Sequence, residues 1–195
     1  MALPSPAVAV PNIATDPGVL FRAPLGTAEP THTVVGSVFS DSWPVGWVAL
    51  GATDAGSNFK WKTSYDKIEV EEFLDPIKYV STGREGSVAF ALASISATNM
   101  KSALNGGILT TTGATTTTMT TYTPPAAGAE VRCMIGWESL DSTERLVCYQ
   151  CINTGEVSVQ RQKGKNKAVL PVEFALEIPL SGFPFKYLTA GVARA

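Results

Sequence analysis

The chain has 195 residues, enough to bury roughly 70% of its unfolded surface in one domain, and its formal charge of −2 with 16% charged residues excludes a broad basic field for gripping nucleic acid. Three cysteines, Cys133, Cys148 and Cys151, are too few and odd in number for a disulfide framework and suit a reducing compartment. No apolar run reaches the about 18 residues of a membrane span, and the first residues lack the basic region of a secretory signal, so a soluble chain not exported by that route is expected.

Residues 1–18 hold Pro4, Pro6, Pro11 and Pro17 among small residues, which disfavours helix and predicts an extended arm, either a disordered tail or one that orders against another subunit. A single domain over residues 19–195 is expected to follow. GVLFRAPL (18–25) reads as a short strand and 29–38 as a weaker one, with His32, the only histidine, expected on the surface. WPVGWVALG (43–51) reads as a compact apolar strand, and 53–56 as a turn. Phe59, Trp61, Thr63 and Tyr65 then alternate with Lys60, Lys62 and Ser64, and Ile68 and Val70 alternate with Lys67, Glu69 and Glu71. Both runs are amphipathic strands of a long hairpin or loop over 60–82, broken at Asp75-Pro76.

The stretch 83–107 predicts a strand, a turn and a short helix. Val88, Phe90 and Leu92 point to one face while Ala89, Ala91 and Ala93 point to the other, so the strand needs cover on both sides, the alanine face from the helix or a second sheet. Ser96 is placed to cap a helix over about 96–105 that Asn105-Gly106-Gly107 ends. Residues 108–123 contain ten threonines and read as an exposed edge strand or loop. Alternating strands follow at 131–138, 145–152, 156–161 and 170–178, with a basic tip at Lys163, Lys165 and Lys167 and a closing segment at 183–188. The pattern is mainly β, a sandwich or barrel of about ten short strands with one helix.

Catalytic chemistry finds little footing. Cys148-Tyr149-Gln150-Cys151 has CxxC spacing, but a regular strand sends the two thiols to opposite faces and no second Cys/His pair lies nearby. One histidine, no GxSxG and no phosphate loop argue against a hydrolase or nucleotide enzyme, so neither catalysis, a metal nor a cofactor is expected.

The order GWVALGATDAG, then a Lys/Glu-rich hairpin running into LDPIKYVSTGREGSVAFALASISATNMKSALNGG, and later RLVCYQCINTGEVSVQRQKGKNKAVLPVEFALEIPLSGFPFKYLTAG, resembles the major tail proteins of long-tailed, non-contractile bacteriophages. The likeness covers about residues 45–191 and is greatest to tail tube subunits of phages infecting actinobacteria. It implies a tail-tube-type β-sandwich with a flanking helix, and hexameric rings stacked into a tube that conducts DNA during ejection without sequence-specific binding. It also implies tail-tip, tape-measure and tail-terminator proteins as partners, no membrane partner, assembly in the host cytoplasm and residence in the virion. Many relatives carry a further immunoglobulin-like domain, whereas this sequence stops at Ala195, so decoration of the exterior is not implied.

Within that expectation, Glu69, Glu71 and Glu72 are candidates to line the lumen, with Glu173 and Glu177 as the alternative strip, because an acidic wall would not hold phosphates. Solvated acids paired with Lys60 and Lys62 are the simpler reading. Trp61, Tyr65, Phe73 and Tyr79 are candidates for contacts between subunits, and the long hairpin over 60–82 and the proline-rich arm for contacts between rings; packing on the domain's own core is the competing reading for the four aromatics. The tube of a contractile tail or injection machine shares the fold, and a carbohydrate-binding β-sandwich would share the exposed aromatics.

Overall fold

The computed structural model describes residues 18–71, 75–114, 117–159 and 168–191. In chain order the elements are β1 (Gly18–Pro24), β2 (Val34–Val35), β3 (Val38–Phe39), β4 (Val48–Ala49), β5 (Thr53–Ile68), β6 (Lys78–Leu92), α1 (Ala97–Ala103), β7 (Ile108–Ala114), β8 (Thr117–Thr123), β9 (Cys133–Ser139), β10 (Glu144–Asn153), β11 (Leu170–Leu176) and β12 (Phe185–Thr189). The fold is mainly β with one short helix, as expected. Eight strands form one antiparallel sheet in the order β4-β1-β9-β10-β11-β6-β5, with β12 also paired to β10. The far edge of β10 is shared, since Glu144 to Cys148 pair with β12 while Cys151 to Asn153 pair with β11.

Two apolar clusters fix the sheet. Leu20, Val88, Phe90, Leu92, Ile135, Cys148, Leu170, Val172 and Phe174 belong to the larger one, to which α1 adds Ala103 and Met100. Ala23, Met134 and Val147 point the other way and are covered by Trp43 and Trp47. Residues 43–51 are therefore mostly loop, with β4 alone in strand pairing. Gly136 has no side chain because the Trp43 ring occupies that space, 2.4 Å from where a Cβ would sit.

The helix forms where expected. The Ser96 side chain accepts from the Asn99 amide at 3.1 Å, and Asn105 at φ 56° ends the helix in the left-handed region that asparagine tolerates. A seven-residue helix cannot persist alone. It is latched at both ends: Asn99 Nδ2 donates to the carbonyls of Leu50 and Ser94, while Asn105 exchanges two 2.7 Å hydrogen bonds with the backbone of Asn153.

Several expectations are corrected. The helix packs on the bulky side of β6, not on Ala89 and Ala91, whose face is left open. Residues 53–56 are strand rather than turn, and the runs at 59–65 and 67–71 are not the two strands of a hairpin: β5 continues through both as far as Ile68 and its partner is β6, with a bulge opposite Ser64 and Tyr65. Residues 156–159 are not strand. The arm, residues 1–17, lies outside the described residues, as do the basic tip lysines; Gly18 already belongs to β1.

Candidate assembly surface

β5 and β6 form a hairpin of 16 and 15 residues, longer than any other described strand. Pairing registers assign the faces. Phe59 opposite Val88, Trp61 opposite Gly86, Thr63 opposite Arg84, Tyr65 opposite Ser81 and Lys67 opposite Tyr79 share one face. That face begins inside the domain, where Val88 is fully buried and Phe59 packs on the larger cluster. It continues outward past the last described residue that covers it. Trp61 is the transition: its ring lies over Gly86 and meets Phe185 edge-on at 5.0 Å, leaving it 37% exposed. Beyond it Tyr65 and Tyr79, diagonal neighbours across the two strands, are 60% and 63% exposed.

Of the four aromatics picked out in sequence, the structure brings Tyr65 and Tyr79 together in the open and packs Trp61 on the domain itself. Phe73 and Glu72 lie outside the described residues. Ile68, Ile77 and Val80 add exposed apolar area to the same hairpin, a signal visible in sequence only as ordinary strand residues. Another exposed apolar group, Ile178, Leu180 and Phe183, lies in the loop before β12; Ile178 was expected to end the strand at 170–178, which stops at Leu176, and Phe183 to begin the closing segment.

The acidic candidates are not a bare strip. Glu69 pairs with Lys67 at 2.5 Å, Lys62 stands opposite Glu85, and Glu71 follows β5 at the exposed tip. The alternative strip is paired as well. Glu173 accepts from Ser87 Oγ at 2.9 Å and lies 3.9 Å from Lys60. Glu177 takes Arg132 Nε at 3.0 Å and Gln150 Nε2 at 2.7 Å, and these two donors hold its carboxyl below the ordinary range.

Other clusters of polar groups are structural in character. Arg145, 1% exposed, donates to Glu138 Oε1 at 3.1 Å beneath the Phe39 ring, and Glu138 also accepts from the Trp43 indole. Glu29 gathers the Tyr149 hydroxyl and Lys186 Nζ, each at 2.8 Å, and His32 Nε2 at 3.4 Å. His32 is not the solvated residue expected, for its side chain is only 9% exposed and its ring meets Phe39 edge-on.

The CxxC reading is also corrected. A register shift between Cys148 and Cys151 inserts an extra residue, so both thiols face the same cluster, together with Cys133. All three are reduced and buried. Contact with Cys148 and burial push the Cys151 thiol far up, and burial pushes Cys133 to about 11, which leaves protonated, unreactive thiols at neutral pH. Among the described residues no group of three or more His, Cys, Asp or Glu is placed to hold a metal ion. The alanine face of β6 floors an open groove of about 410 Å³, bordered by Ser57, Asn58, Pro171 and Glu173.

No helix among the described residues is long and apolar enough to cross a membrane. No family model matches this chain, and no curated protein matches it either.

Proposed function

We propose that the protein is a structural subunit that polymerises as stacked rings into the tail tube of a long-tailed, non-contractile bacteriophage, a conduit for DNA. The observation that carries this reading is the outer half of the β5–β6 hairpin. Its Tyr65–Tyr79 face continues the core face of the sheet but is covered by none of the described residues, which is how a surface completed by another subunit is built. Aromatic residues on a stiff antiparallel ribbon supply contact area with little side-chain entropy to lose. The resemblance noted above supplies the class of assembly, with six subunits to a ring and tail-tip, tape-measure and terminator proteins as partners.

The mechanism is mechanical. Subunits associate through surfaces buried only in the assembly, and the interleaving of Lys62, Lys67, Glu69 and Glu85 on the ribbon leaves no run of lysines to hold a polyphosphate that must slide past.

The double variant Tyr65→Ser/Tyr79→Ser tests the reading. Both residues are exposed, so the isolated subunit should keep its thermal midpoint within a few degrees. Assembly followed by light scattering should be lost. Unchanged polymer formation would remove the hairpin from the contact, and a glycan-binding monomer that never polymerises would replace the tube reading altogether.

A further inference from the structure

The dipeptide that ends α1, Asn105-Gly106, is reactive as well as structural. It is the one place in the chain where an asparagine precedes a glycine; each of the other five asparagines is followed by a residue with a side chain. Glycine is there for geometry, since Gly106 sits at φ 122° and a Cβ would come 3.3 Å from Val131 Cγ2. The same lack of a side chain leaves the Gly106 nitrogen unhindered toward the Asn105 carboxamide one residue back.

An asparagine so placed can react with its own backbone. The Gly106 nitrogen, its proton lost to water, bonds to Asn105 Cγ; the bond from Cγ to Nδ2 breaks, and ammonia departs from a five-membered succinimide. Water then opens that ring at either carbonyl. The products are aspartate, or isoaspartate in which the main chain runs through the former side chain. Water is the only co-reactant.

In the folded chain every reacting group is occupied. Asn105 Nδ2 donates to the Asn153 carbonyl and Asn105 Oδ1 accepts from the Asn153 amide, both at 2.7 Å. The Gly106 N–H donates to the Lys101 carbonyl at 2.9 Å, and the Gly106 carbonyl accepts from the Tyr122 hydroxyl at 3.0 Å. Gly106 is buried as well. Ring closure has to break the three hydrogen bonds of the reacting atoms, so it requires the end of α1 to leave β10. A helix of seven residues held by side-chain latches is the kind of element that opens locally, ahead of the sheet.

We propose that Asn105-Gly106 is a self-modification site gated by this latch: silent while α1 is docked, reactive when the helix lifts, and unable to dock again once converted. Aspartate has no donor for the Asn153 carbonyl and sets a carboxylate against it, and isoaspartate lengthens the main chain between α1 and β7. Chains that have loosened are thereby marked irreversibly. None of these atoms belongs to the β5–β6 hairpin, so the site stands independently of the assembly reading.

The full chain is incubated at mildly alkaline pH, folded or in urea, and conversion at Asn105 is followed by peptide mapping with mass spectrometry. Conversion in urea should be about tenfold or more faster than in the folded chain, because the folded rate tracks the population of the open form. Asn99→Ala removes the donor to the Leu50 and Ser94 carbonyls at the other end of the helix, and should speed the folded reaction severalfold while leaving the urea rate unchanged. Should that variant fail to fold, Tyr122→Phe, which frees the Gly106 carbonyl at a half-buried position, takes its place with the same expectation. Asn105→Asp, standing in for the product, should lower the thermal midpoint by about 3–10 °C. Equal rates with and without urea, a loosened variant that reacts no faster while folded, or an Asn105→Asp chain that melts as wild type does would each overturn the gate.

Discussion

Arg145 and Glu177 represent two ways in which single residues hold this fold. Arg145 is enclosed, so Arg145→Met removes a guanidinium that offsets Glu138 and leaves that carboxylate largely buried without its cation. A loss of about 3–5 kcal/mol by urea denaturation is expected, and a loss below about 1 kcal/mol would mean that the pair is dispensable. Glu177 acts through protonation. Its carboxyl is held down by Arg132 and Gln150 in the folded chain, so the folded state binds fewer protons than the unfolded one. The stabilisation is therefore complete above the unfolded value of 4.5 and is lost as pH falls below it. Chemical denaturation at pH 6 and pH 3.5 should show wild type losing more stability on acidification than Glu177→Gln. Glu29, Asp41 and Asp141 are shifted in the same direction and steepen the wild-type curve without reversing it.

At the scale of elements, the β5–β6 hairpin divides at Trp61. Trp61→Ala removes a ring that covers Gly86 and meets Phe185, so it should lower the stability of the isolated subunit by about 2–3 kcal/mol in a thermal or urea melt, unlike the tyrosine pair farther out. An unchanged melt would show that the ring packs on nothing of consequence. Local patterns were legible in sequence where one rule acts alone: Ser96 and Asn105-Gly106-Gly107 mark the helix, and the alternations at 59–65 and 170–176 mark β5 and β11. They misled where tertiary packing intervenes. The tryptophans of 43–51 look like strand residues but are a lid over Gly136, and the bulge that turns Cys148 and Cys151 to one face has no local signature. Threonine content gave β propensity at 108–123, yet hairpin and single edge strand were indistinguishable without the register. Of the candidate surface, the aromatic positions could be read from periodicity, but the split between Trp61 and the two tyrosines depends on where the neighbouring β11 and β12 end.

At the scale of the molecule, the chain is nearly neutral, and part of its exposed apolar surface lies on projecting segments. The Tyr65–Tyr79 ribbon, the threonine hairpin and the Ile178–Phe183 loop are each more exposed than a solitary soluble domain needs. In the proposed assembly these surfaces would be buried between subunits, and rings of one chain would stack by repeating one contact. The most direct measurement is negative-stain electron microscopy of the purified full chain, concentrated and incubated, alone and with tail tips, beside its mass by light scattering. Hollow filaments of stacked rings are the predicted result. A particle that keeps the mass of one chain under both conditions would contradict the account.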